Sequence, residues 1–96
     1  MWGLGEIAFR RADLQTAFAR YQEALTLFRK AGDIHGEANC IARLGNIALY
    51  RQDLEAAHAR FEEAQALFHN IWNLLGEANC LAAIGDVALA SVVSNK

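Results

Sequence analysis

The side chains with most capacity for chemistry are three histidines (His35, His58, His69), two cysteines (Cys40, Cys80) and eleven carboxylates. Catalysis needs several polar groups converging in matched geometry. The spacing of these residues does not provide it. The histidines fall on different segments and lack the intervals of a metal site. Glu62 and Glu63 are adjacent, and adjacent positions on a helix point to different faces. Gly3 and Gly5 are not followed by the Lys and Ser or Thr of a phosphate-binding loop. Neither enzymatic activity nor a cofactor or metal is expected. Two cysteines are too few for a disulfide framework, and they read as small buried thiols.

The chemistry that remains is recognition, and it depends on the elements that carry the side chains. The chain has 96 residues, 54% hydrophobic and 21% charged, without proline. That composition is too apolar for a disordered segment, and its alanine, leucine, glutamate and arginine favour helix. The net charge of −2 gives no basic footprint for nucleic acid. No uninterrupted apolar run approaches the roughly 20 residues that span a bilayer. Residues 1–6 lack the pattern of a signal peptide. The expectation is a cytoplasmic chain that binds neither membrane nor nucleic acid.

A repeat of 40 residues organises the chain. Residues 5–44 laid over 45–84 give 19 identities without a gap. Gly36-Glu37-Ala38-Asn39-Cys40 returns unchanged as Gly76-Glu77-Ala78-Asn79-Cys80, and Asp13-Leu14 returns as Asp53-Leu54. Within a copy, Leu14, Ala17, Phe18, Tyr21, Leu25 and Phe28 recur at intervals of three and four, the stripe of an amphipathic helix. Ala38, Ile41, Leu44, Ile47 and Ala48 form the stripe of the next one. Asp13 and Asp53 are placed as N-caps, and Gly32 as a left-handed C-cap. These signals predict five helices, at about 2–11, 14–31, 34–51, 54–71 and 74–92. Residues 1–96 form one domain, with copies at about 1–33 and 34–73 and a partial copy at 74–96. Gly45 sits in mid-helix, where glycine costs about 1 kcal/mol. Its recurrence implies a close helix approach, with Ala57 and Ala64 as the opposing small residues.

Leu44-Gly45 followed by Ala57, Phe61 and Ala64 resembles the tetratricopeptide repeat signature, and Leu4-Gly5, Ala17, Tyr21 and Ala24 repeat it. The period is that of a 40-residue variant, and the proline that ends the signature is absent. The resemblance implies an all-α solenoid of about two and a half helix-turn-helix repeats that binds a protein or peptide partner. The Gly-Glu-Ala-Asn-Cys block is similar to arrays in large fungal and bacterial proteins, often with a regulatory NTPase domain elsewhere. A non-catalytic regulatory part of a larger signalling NTPase is therefore one alternative function. In the family the first helix of each pair lines a concave groove. By position this selects Trp2, Glu6, Phe9 and Arg10, then Asn39, Ala42, Arg43, Asn46, Leu49 and Tyr50, then Asn79, Ala82, Ala83, Asp86 and Leu89. Arg43 and Tyr50 are of the types enriched at binding hot spots. Asn39 and Asn79 read first as structural bonds between successive helices and second as ligand contacts. The lysine-rich clamp of related modules that bind a C-terminal carboxylate is missing.

The copies are not equivalent. Gly32-Asp33 becomes Trp72-Asn73 in the second. Tryptophan does not easily adopt the left-handed conformation. Two outcomes follow for residues 70–75. Asn73 takes over the left-handed position and the turn survives, or the turn straightens into one helix and two chains exchange their ends. The last helix also carries Leu81, Ile84 and Val87 with no partner helix after it. A solenoid end of this kind needs a polar outer face. The expectation is either a segment of a longer array or self-association, with Trp72, Leu81, Ile84 and Val87 as the contact candidates.

Overall fold

The computed structural model describes residues 11–94, which form four helices: α1 (Arg11–Ala31), α2 (Ile34–Tyr50), α3 (Leu54–Asn70) and α4 (Leu74–Ser94). The described chain is all-α, with four helices rather than five. The helix expected at 2–11 lies outside the described residues. The extensive contacts run between sequence neighbours, α1 with α2, α2 with α3 and α3 with α4, packed antiparallel. Asp13 does not cap a helix, because α1 is already helical at Arg11 and Asp13 lies in its first turn.

Three tight turns of one design join the helices, 20 residues apart. Gly32, Gln52 and Trp72 each take a positive φ, of 75°, 61° and 60°. Asp33 N–H donates to the Phe28 carbonyl at 3.0 Å, Asp53 N–H to Ala48 at 2.9 Å and Asn73 N–H to Phe68 at 2.9 Å. Gly32, Gln52 and Trp72 N–H donate to the Arg29, Leu49 and His69 carbonyls. This paired arrangement satisfies the last carbonyls of each helix. The following Asx side chain then caps the next helix. Asp33 accepts from Gly36 N–H at 3.0 Å, Asp53 from Ala56 N–H at 3.2 Å and Asn73 from Gly76 N–H at 2.9 Å.

The turn at Trp72 survives, as one of the two expectations for the hinge had it, but on a different left-handed residue. It is an ordinary turn between two helices, so residues 70–75 do not straighten into one helix in this structure. The residue in the left-handed region is Trp72 itself, not Asn73. A left-handed residue with a Cβ costs roughly 1–2 kcal/mol. The two backbone bonds, the Asn73 cap and a stacked contact between the Trp72 and His69 rings (centroids 6.5 Å apart) offset that cost.

α2 is buried on two sides. Leu25, Ala38, Ile41, Leu44, Ala64 and Phe68 form the main cluster, with the free thiols Cys40 and Cys80 inside it. Ala57, Phe61 and Val87 form a second. Burial of a side chain such as Ile41 or Phe61 contributes about 1.5–3 kcal/mol. Glycines set the helix spacing. A Cβ on Gly45 would lie 2.9 Å from the Phe61 ring. The close approach expected at Gly45 is therefore real, but an aromatic ring makes it rather than Ala57 or Ala64. Gly36 meets the Phe28 ring and Gly76 the Phe68 ring in the same manner.

α4 is covered on one side. Cys80 and Val87 are buried against α3, and Ile84 is half-buried in the second cluster. Val87 is thus not part of an open surface, contrary to expectation. Leu81 is 53% exposed. A Cβ at Gly85, the counterpart of Gly45, would meet nothing within 4 Å. Leu74–Val93, 20 residues long, also reaches a mean hydropathy of 1.3 over an 18-residue window, enough to cross a membrane by length and composition alone. The run is interrupted, as the sequence indicated, but Glu77 and Asp86 break it without lowering the average below that of a span.

Candidate functional site

The face shared by α2 and α4 carries the candidate site. Both helices begin after an Asx cap and run in the same direction, with α3 between them. Asn39, Ala42, Arg43 and Asn46 of α2 face Gly76, Asn79, Cys80 and Ala83 of α4 across a hollow of about 280 Å³. Phe61 and Phe68 of α3 also line it. The repeat dictates this: Asn39 and Asn79 are one repeat position, as are Arg43 and Ala83.

Polar capacity in the hollow is unspent. Asn39, Arg43 and Asn79 are exposed and Asn46 is half-buried. Among the described residues no side chain hydrogen-bonds these amides, and no carboxylate pairs with Arg43. The structural bonds expected first for Asn39 and Asn79 are therefore not made. Nearby acids are committed elsewhere. Glu37 accepts from the Arg29 guanidinium at 3.1 Å. Glu77 accepts from the Gln65 amide at 2.8 Å and lies 3.1 Å from His69 Nδ1. These pairs are surface features worth at most about 1 kcal/mol each.

Two further hollows extend the face. Leu14, Ala17, Tyr21, Arg43, Asn46, Ile47 and Tyr50 enclose about 270 Å³ between α1 and α2. Arg43 and Asn46 thus line both this hollow and the one between α2 and α4. Leu49, Gln52, Leu54, Asp86, Leu89, Ala90 and Val93 enclose about 510 Å³ at the other end. This last hollow is mostly apolar, with Leu89 and Val93 more than 60% exposed. The structure therefore brings together Asn39, Arg43, Asn46 and Asn79, places Tyr50 beside Arg43 and Asn46 in the α1–α2 hollow, and places Asp86 in the apolar hollow. Glu6 and Arg10, with Trp2 and Phe9, lie outside the described residues. Sequence reasoning missed Phe61 and Phe68 as lining and Val93 as the edge of the apolar hollow. The aromatic position of the repeat held the signal for the two phenylalanines, since a ring that fills the space over a glycine reaches the neighbouring groove.

The remaining reactive side chains do not form a site. No three His, Cys, Asp or Glu residues cluster at metal-binding distance among the described residues. His58 is exposed and lies 3.6 Å from Glu62. Glu63 pairs with Arg60 and Arg29. Burial pushes the Cys40 and Cys80 thiols up from the ordinary cysteine range, away from the reactive thiolate.

Repeated antiparallel helix pairs with an open groove along one set of helices define the class: an all-α helical-repeat protein. The sequence pattern of the tetratricopeptide repeat matches residues 1–70, and the chain belongs to that family. The match ends at the α3–α4 turn, so α4 lies beyond it. No curated protein and no solved structure matches the chain. Tetratricopeptide repeats are generally protein-interaction modules and are non-catalytic by themselves.

Proposed function

We propose that the chain holds an extended peptide segment of a partner protein along the face between α2 and α4. The observation that carries this reading is the set of unengaged Asn39, Arg43, Asn46 and Asn79 side chains around an apolar hollow. A side-chain amide both donates and accepts, so it can bond the N–H and C=O of a peptide backbone without demanding a side chain. Arg43 supplies a planar cationic fork that suits a carboxylate. The apolar hollow at Leu49, Leu89 and Val93 suits a bulky aliphatic or aromatic side chain.

The geometry sets the spacing. From Arg43 to the level of Leu49 the helix rises about 9 Å at ~1.5 Å per residue. An extended peptide covers that in about three residues at ~3.3 Å each. The preferred ligand is a segment with an acidic residue about three positions from a bulky apolar one. Selection of such segments by the full chain from a displayed random-peptide library tests this. Arg43→Ala is expected to weaken the selected peptides at least tenfold, and Asn79→Ala to weaken them regardless of peptide sequence. Binding unchanged by both substitutions would overturn the proposal.

A further inference from the structure

A second surface lies on a different side of α4. Leu74, Ala78, Leu81, Gly85, Ala88 and Val92 are all exposed. They follow one another at intervals of four, three, four, three and four, the spacing of a coiled-coil seam. The repeat shows what this face does when it is covered. In α2 the equivalent Ala38 and Ile41 are 0% exposed, and Gly45 lies under the Phe61 ring. In α4 the same positions hold Ala78, Leu81 and Gly85 in the open.

We propose that a second copy of this chain covers the face, with the two α4 helices packed antiparallel about a two-fold axis. The argument is self-complementarity, which an isologous contact requires. An antiparallel register centred on residue 83 sets Leu81 against Gly85 of the partner subunit. It sets Ala78 against Ala88 of the partner subunit, and Leu74 against Val92 of the partner subunit. Leu81 then fills the space over a glycine that Phe61 fills over Gly45. A parallel register instead sets glycine on glycine and leucine on leucine, leaving a void beside a collision. Charge does not oppose the antiparallel choice. The seam contains no ionisable residue. Glu77 falls beside Leu89 of the partner subunit and is already held by Gln65 and His69. Asp86 faces the apolar hollow on the groove side.

The seam is about 27 Å long at ~1.5 Å per residue. Leu74, Leu81 and Val92, flanked by Leu75 and Leu89, are all more than half exposed. Burying them contributes a large part of the ~800 Å² per partner of a standard stable interface.

Sedimentation equilibrium of the full chain across a concentration series tests the proposal. The chain is expected to dimerise, and Leu81→Glu is expected to weaken the dimer at least tenfold while helical circular dichroism is retained. Arg43→Ala is expected to leave the dimer unchanged, which separates this proposal from the peptide-binding one. A short bismaleimide reagent tests the register. A mixture of Ala78→Cys and Ala88→Cys chains is expected to cross-link, and neither chain alone. A monomer at all concentrations would overturn the proposal and leave the face to a helix of another protein. Capture by neutral lipid vesicles without dimerisation would overturn it in favour of a membrane. A dimer indifferent to Leu81→Glu, or cross-linking of either variant alone, would overturn the interface or its register.

Discussion

Gly45 and Gly85 occupy one repeat position, yet a methyl group added at each meets a different environment. The chain therefore contains its own control. At Gly85 the new Cβ would touch nothing within 4 Å. Replacing glycine by alanine in an exposed helix interior gains about 1 kcal/mol of helix propensity. At Gly45 the same gain is available, but the Cβ would lie 2.9–3.0 Å from three atoms of the Phe61 ring. Phe61 is 2% exposed and closed in by Ala57 and Val87, so the ring has little room to swing. Overpacking of this kind costs about 1–3 kcal/mol, which outweighs the propensity. Gly45→Ala should thus destabilise by about 1 kcal/mol net, and Gly85→Ala should stabilise by about the same. Thermal unfolding followed by circular dichroism measures both. It is best done with Leu81→Glu also present, so that no second chain lies over Gly85. For a domain of this size 1 kcal/mol moves Tm by about 4–8 °C. The two variants should move Tm in opposite directions. A rise in both would mean that Phe61 does not press on Gly45.

Three further predictions address other parts of the structure. Trp72→Gly removes a left-handed non-glycine residue but also the ring contact with His69. Relief of strain worth ~1–2 kcal/mol should exceed that loss, so Tm should rise in thermal unfolding by a few degrees. Asp53→Ala deletes the cap on α3, and the expected loss is about 1 kcal/mol by urea unfolding. Cys40 and Cys80 are held neutral by burial, so at neutral pH a thiol-specific chromogenic reagent should modify them slowly until the chain is unfolded by urea. The same raised values mean that the unfolded chain releases these protons first. Stability should therefore fall as pH rises above the unfolded cysteine value of ~8.5.

Most of the architecture was legible because its signals are local and repeated. The Asx residues at 33, 53 and 73 mark the turns, and each caps a helix in the structure. What failed was reading one turn from its left-handed residue alone. Gln52 and Trp72 occupy that position without being glycine, because the flanking backbone bonds and caps over-determine the turn. The converse failure is Asp13. Its sequence matches Asp53-Leu54, yet Asp13 lies in the first turn of α1, since a capping residue supplies acceptors but does not by itself fix where a helix begins. The partner of Gly45 was also misjudged. Small residues suggested backbone-to-backbone contact, whereas helix spacing is set by which large side chain fills the gap, a property of two helices together.

The groove was legible at the level of position in the repeat and not at the level of bonding. That Asn39 and Asn79 share a face follows from periodicity. That neither is used to tie helices together depends on interhelical distance, which periodicity does not encode. Likewise the exposed last helix could be foreseen, but not which of its apolar residues were free. Val87 turned out to face α3 and Leu81 to face away, a consequence of how α4 is rotated about its axis.

The proposed site of recognition is the face between α2 and α4. The most direct test is amide chemical-shift mapping of the full chain against a peptide selected by it. Perturbations are expected to concentrate at Asn39, Arg43, Asn46, Asn79 and Ala83. Perturbations confined instead to the α4 seam around Leu81 and Gly85, or to the turn at Trp72, would contradict it.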